Sequence, residues 1–215
     1  MKLNFLITAG PTREYIDPVR FLSNGSSGKL GYAVAAAATR AGHKVVLISG
    51  PTALPRPRGV KFIAVVSAAQ MATEAKKRLG DTDIFISSAA VADYRPAKIL
   101  ALKLKKKKKN LSLKLQPTED ILAYFGAHKG KMVLVGFALE SKNLIKSAME
   151  KLKRKNLDLI VGNYPEAIGM DRSSVWLVNS EEDILAIKNA EKTTIAKRIR
   201  DEAVRIFEVR AGKAR

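Results

Sequence analysis

Cysteine is absent from all 215 residues, and histidine occurs only at His43 and His128. The first absence excludes disulfides and thiolate metal sites and fits a cytoplasmic setting. The second argues against a histidine-built metal centre, so any metal is expected to be oxygen-bound and partly held by a ligand. No apolar run approaches the roughly 18 residues a membrane span needs, so no membrane partner is expected. The opening stretch Met1–Thr8 is too short an apolar run for a signal peptide and leads straight into a strand pattern. Acidic residues are also scarce: 20 against 39 lysines and arginines, a net charge of +19. Neither an internal repeat nor a separating linker is visible, so residues 1–215 are expected to form a single domain.

Much of the charge excess sits in one place. Lys98–Gln116 carries eight lysines and no acid. Such a run fits a solvated face, a nucleic acid or a polyphosphate ligand. Stacking aromatics are missing around the six lysines between Lys103 and Lys109, which argues against nucleic acid.

What the chain does have is alternation. Leu3–Ala9 reads as a buried strand, and Lys29–Ala41 as an alanine-rich helix closed by Gly42. Further strands are expected at Lys44–Ser49, Val60–Val66, Asp83–Ala89, Met132–Ala138 and Leu157–Val161, with an edge strand at Ser174–Val178. Helices are expected from Ser67 to about Leu79, Thr118 to about Phe125, Asn143–Lys155 and Glu191 to about Val209. This defines an α/β fold: a Rossmann-like, doubly wound, mainly parallel sheet. The pattern breaks at 97–116, where Ile99–Leu104 and Leu111–Leu115 predict a β-ribbon flap projecting from the sheet. Residues Arg13–Ser23 are too long for an ordinary βα connection and are a candidate functional loop.

Two stretches carry candidate chemistry. Asn24-Gly-Ser-Ser-Gly-Lys-Leu-Gly31 opens the first helix, where backbone N–H groups and the helix dipole favour an anion. Ser26 and Ser27 add hydroxyls, and Asn24 an amide that can donate and accept. The second stretch is Ser88–Pro96 at the carboxyl end of the fourth strand, where open α/β sheets bind ligands. Its alanines permit close approach of a flat base, and Asp93 could hold a cation bridging phosphates. A nicotinamide site fits poorly: strand two ends Ile48-Ser49-Gly50-Pro51 without a ribose-binding acid. Tyr94 and Lys98 have dehydrogenase spacing, but Pro96 between them breaks the helix that spacing needs. A P-loop is excluded by Ser23 and Leu30 at its diagnostic positions.

Six segments occur in order: Gly10-Pro11-Thr12, Ile16–Arg20, Ser23–Lys29, Ala89–Pro96, Asp120-Ile121-Leu122 and Gly136-Phe137-Ala138-x-Glu140. The series closely resembles phosphopantothenate–cysteine ligase of the bacterial type, over almost the whole chain to about Val178. The resemblance implies a step of coenzyme A biosynthesis, with CTP rather than ATP as activating co-substrate and Mg²⁺ as cofactor. In it 4′-phosphopantothenate and L-cysteine are joined through an acyl-cytidylate. It implies catalytic roles for Asn24 and Lys103, and substrate binding by both together with Arg20. Gly10, Ser26, Ser27, Gly28, Lys29, Ala89, Ala90, Asp93, Asp120 and Phe137 are implied in nucleotide binding, with Asp93 also at the metal. A homodimer exchanging the flap is implied, and a flavin-dependent decarboxylase, often fused in bacteria, is expected as a separate or excised partner. The chain departs from the family pattern at Tyr164 and Ser141, where an acid and a threonine are usual.

Overall fold

A computed structural model describes residues 1–106 and 110–212; positions 107–109 of the lysine run lie outside the described residues. The strands are β1 (Asn4–Ala9), β2 (Arg13–Tyr15), β3 (Phe21–Ser23), β4 (Lys44–Ser49), β5 (Lys61–Ala64), β6 (Ile84–Ser87), β7 (Tyr94–Pro96), β8 (Leu115–Pro117), β9 (Val133–Leu139), β10 (Leu159–Asn163), β11 (Arg172–Asn179) and β12 (Ile184–Glu191). The helices are α1 (Lys29–Arg40), α2 (Ala68–Lys76), α3 (Ile121–His128), α4 (Leu144–Arg154) and α5 (Lys192–Gly212).

The main sheet runs β12-β11-β10-β9-β6-β1-β4-β5, parallel from β10 to β5 and antiparallel at β11 and β12. Numbered along the chain, its parallel strands follow the order 3-2-1-4-5-6 of a doubly wound fold. The order reverses between β1 and β6, which opens a crevice beyond their carboxyl ends. The expected fold class is therefore what the chain adopts.

Strand periodicity explains the two cores. Phe5, Ile7, Ile84, Ile86, Val133 and Val135 face α1 and α5, while Leu6, Phe85, Leu134 and Ile160 face α2, α3 and α4. Alanines at 35, 37 and 38 keep α1 thin, so α5 packs on it through Ile195, Ala196, Ile199 and Ala203. Helix starts are set by side chains: Ser67 and Gln70 form a reciprocal capping box on α2, and Asp120 caps α3 through Ala123 N–H at 2.9 Å.

Gly31 fixes how close α1 lies to the switch point. A Cβ there would stand 2.7 Å from the Ala9 Cβ and strike the Ser88 hydroxyl. Gly31→Ala is expected to destabilise the protein by about 1–3 kcal/mol by overpacking. The roughly 1 kcal/mol alanine gains as a helix former offsets part of this, leaving a net loss of up to about 2 kcal/mol. Urea titration checks it, and a variant as stable as the parent would contradict the packing.

Three elements differ from the sequence expectation. Arg13–Ser23 is not irregular but carries the β2–β3 hairpin. The ribbon is paired lower than alternation suggested: Tyr94–Pro96 pairs with Leu115–Pro117, and no strand lies at 99–104 or 111–114. Alternating leucines there face solvent rather than a sheet, with Leu102 and Leu111 well exposed. Finally, β11 is not the edge of the main sheet, because β12 covers it.

Candidate active site

The chain continues past the ends of β1 and β6 as a paired extension. Pro11 bridges Ala90, Ala90 N–H donates to Gly10 O at 3.0 Å, and Thr12 N–H donates to Ala90 O at 3.2 Å. Buried Thr12 adds its hydroxyl as acceptor for Ala92 N–H at 3.0 Å. Nearby, buried Glu14 accepts from Ala68 N–H at 2.8 Å, fastening the hairpin to the start of α2. These bonds hold the 88–93 stretch rigid beside the loop entering α1.

Above the extension lies a cleft of about 770 Å³, lined on one side by 24–31 and on the other by 87–91, 93–94 and 117–122. Asn24, Ser26, Ser27, Gly28, Lys29, Ala89, Ala90, Asp93, Asp120 and Phe137 all line it. Asn24 spans its two walls, its Nδ2 donating to Ala90 O at 3.1 Å. The Ser26 and Ser27 hydroxyls accept from Gly28 N–H at 3.3 Å and Lys29 N–H at 3.4 Å, ordering the loop at the helix start. Gly28 adopts φ +75°, and a Cβ there would lie 3.2 Å from Gly10 Cα and 3.0 Å from Thr52 Cγ2. Gly10 thus packs under the loop and does not line the cleft.

Cations crowd the far wall. Lys151, Arg154 and Lys155, at the end of α4, line it together with Glu140 and Asp120, while Lys192, the first residue of α5, lines the cleft on the side of Lys29. Burial pushes the Lys151 ammonium below the usual lysine range, against the opposing pull of Asp120 and Glu140. Lys151 Nζ donates to Phe137 O at 2.6 Å. For Asp120 burial acts to raise the pKa, but the paired Lys155 ammonium and the Ala123 N–H hold the carboxyl below its ordinary value. Sequence reasoning missed Lys151, Arg154, Lys155 and Lys192 because a lysine on an amphipathic helix reads as solvated surface. Their placement follows only from the helix orientation.

Asp93 is an exposed carboxylate on the cleft wall, its backbone carbonyl accepting from Thr118 N–H at 2.9 Å. Among the described residues, no three His, Asp or Glu side chains gather as a metal site. A single carboxylate at this point of the wall fits a Mg²⁺ only if phosphates and water complete its coordination, as Mg²⁺ prefers.

Arg20 and Lys103 lie away from this cleft. Asp17, fully buried, accepts from Val19 N–H and Arg20 N–H, each at 2.8 Å, from Leu104 N–H at 3.0 Å and from Arg20 Nη1 at 3.2 Å. Arg20 Nη1 also donates to Leu104 O at 2.9 Å. The Leu104 N–H above all, aided by the other donors, holds the Asp17 carboxyl below its ordinary value despite burial. One buried carboxylate and one guanidinium therefore clamp both backbone polar groups of Leu104. Lys103, next to it, is exposed.

Fold and cleft together define a doubly wound α/β protein with a crevice at the switch point lined by lysines and an arginine among carboxylates. Residues 1–206 match the family described as DNA/pantothenate metabolism flavoprotein C-terminal domain, and the chain belongs to that family. It is 48% identical over 165 residues to the coenzyme A biosynthesis bifunctional protein CoaBC of Bacillus subtilis, covering 76% of this chain and 41% of that protein. It is 42% identical over 197 residues to CoaBC of Borreliella burgdorferi, covering 90% of this chain and 50% of that one. The chain thus spans half or less of the length of these curated relatives. The crystal structure of a CoaBC C-terminal domain superposes with a TM-score of 0.84 at 37% identity, over 96% of each chain. A Cab2 variant in complex with phosphopantothenate-cysteine shares the fold at TM-score 0.82 and 18% identity, over 99% of this chain and 88% of that one. The family resemblance read from the six motifs is borne out.

Proposed function

We propose that this chain is a phosphopantothenate–cysteine ligase acting in coenzyme A biosynthesis, with CTP as activating nucleotide. The observation that carries this reading is the Asn24–Ala90 contact, which joins the two most specific motifs across a basic cleft at the switch point. Family membership and the name of the CoaBC relatives support it.

In the first half-reaction a carboxylate oxygen of 4′-phosphopantothenate attacks the α-phosphorus of CTP and pyrophosphate departs. Two anions must approach each other, so the protein's task is neutralisation and placement rather than covalent chemistry. Ser26, Ser27, Gly28 and Lys29 cradle phosphate, and Ala89, Ala90 and Phe137 shape the base pocket. Asp120 and Gly10 support that wall and floor. Asp93 would hold Mg²⁺, which when bound with the triphosphate supplies positive charge. In the second half-reaction the cysteine amine attacks the acyl carbon, CMP leaves with the bonding pair, and the amine proton passes to solvent. The Asn24 amide holds the acyl oxygen as it becomes an oxyanion, without adding charge.

Arg20, which holds Leu104 O, and the neighbouring exposed Lys103 lie outside this cleft and would act on the substrate of a shared site in a homodimer. Exposed Val19, Phe21, Ile99, Leu102 and Leu111 along the hairpin and arm support this placement of the partner. No helix among the described residues is long and apolar enough to cross a membrane.

The test is pyrophosphate release by the purified protein with 4′-phosphopantothenate and Mg²⁺, first with CTP and then with ATP. Release with CTP, followed by amide formation on adding cysteine, is the expected result. No release with either nucleotide would sink the assignment.

A further inference from the structure

Lys29 and Lys192, the first residues of α1 and α5, both line the cleft and both hold the segment 167–171. Lys29 Nζ donates to Gly169 O at 3.0 Å and pairs with Asp171 Oδ1 at 2.7 Å. Lys192 Nζ donates to Ala167 O at 3.3 Å, and its backbone N–H to Asp171 O at 3.1 Å. The two ammonium groups feel each other: burial first, and Lys29's like charge second, press Lys192 below the usual lysine range, while Asp171 pulls the other way. Asp171 is in turn held below the usual carboxylate range by its bond to Lys29 and by the charges of both lysines. Two cations at the edge of an anion-binding crevice are thus balanced by a single carboxylate, supplied by the chain itself.

That carboxylate is poorly suited to stay. The Asp171 side chain is 87% exposed. Ion pairs so open to water are screened and contribute little. A triphosphate entering the cleft brings several charges where Asp171 brings one, and offers oxygens to both lysines at once.

We propose that Lys29 and Lys192 form the subsite for the pyrophosphate end of the nucleoside triphosphate, and that Asp171 is a built-in stand-in anion displaced when the nucleotide binds. The inference rests on the ligase reading for its ligand and adds Lys192 and Asp171 to the residues that set nucleotide affinity. Displacement also costs the 167 and 169 carbonyls their ammonium donors, so binding frees the segment that borders the cleft.

Calorimetric titration with inorganic pyrophosphate tests the subsite without requiring turnover. Lys192→Gln is expected to weaken pyrophosphate binding about tenfold, the loss typical of one charge-assisted contact. Lys192→Arg is expected to retain most of it. Asp171→Asn is expected to tighten binding about two- to fivefold, because an exposed, solvent-screened competitor has been removed. A merely structural role for this segment would not produce tightening. Unchanged binding in Lys192→Gln, weaker binding in Asp171→Asn, or no pyrophosphate binding by the parent protein would each overturn the proposal. The expected pattern in a protein that forms no amide would leave the subsite standing and remove the ligase reading. Normal turnover with affinities indifferent to both residues would do the reverse.

Discussion

In a single turnover Asn24→Ala is expected to release pyrophosphate from CTP and 4′-phosphopantothenate at near the parental rate while amide formation falls by a factor on the order of 10²–10³. The size is that of removing one preorganised donor from a developing oxyanion. Structure makes the substitution clean. Asn24 is exposed, and its side chain makes a single hydrogen bond, to Ala90 O, so the fold should lose little. The first half-reaction needs phosphate-directed donors, which Ser26, Ser27 and Lys29 retain in the variant. The second needs a neutral donor on the acyl oxygen, which the variant lacks. Trapping the intermediate, by showing CMP held on the protein until hydroxylamine is added, would complete the demonstration. Equal loss of both half-reactions would contradict the role given to Asn24.

The largest effect on stability is expected at Asp158, far from the cleft. This carboxylate is 2% exposed and sits where β10 begins. It accepts from Leu134 N–H at 2.8 Å and Lys129 Nζ at 2.8 Å, and pairs with Arg210 near the end of α5. Arg210 also donates to Met132 O at 3.2 Å. Asp158→Ala would leave two cations and one buried N–H facing a void. Breaking a buried pair in this way costs about 3–5 kcal/mol. For a chain of this size that corresponds to a fall in Tm of roughly 6–20 °C. Asp158→Asn keeps an acceptor for Leu134 and should lose less. Thermal melts that move by under a degree in Asp158→Ala would show that the network is not coupled to folding.

The parallel sheet was legible in the sequence because strands covered on both faces must be continuously apolar, as Leu6–Ile7 and Ile84–Ile86 are. What escaped were elements stabilised by something other than burial. β12 carries Ile184 and Leu185 half-exposed at a sheet edge, so no buried face marks it. The β7–β8 pair contains Pro96 and Pro117, which read as strand breakers but are tolerated on edge strands. The same distinction applies to the site. Asn24, Ser26, Ser27, Ala89, Ala90 and Asp93 were legible because small residues in loops at strand ends have few structural duties. Lys151 and Lys192 were not, since helical lysines are indistinguishable from solvated ones until the helices are oriented. The arrangement of Arg20 and Lys103 was legible as a motif but not as geometry. Nothing in the spacing shows that a buried carboxylate holds the Leu104 peptide between them.

That clamp has a thermodynamic corollary. Residues 97–104 are attached through Ala97 N–H to Lys114 O at 2.9 Å, Leu100 N–H to Ile16 O at 2.9 Å, and the Asp17–Arg20 grip on Leu104. None of these bonds belongs to the eight-stranded sheet. The arm can therefore open as its own small cooperative unit while both cores remain folded, since local openings cost only the contacts they break. Its amides should exchange with solvent ahead of those of β1 and β6, and a protease should find it before it finds the sheet. The limb that carries Lys103 is thus expected to loosen at temperatures where the scaffold is still intact.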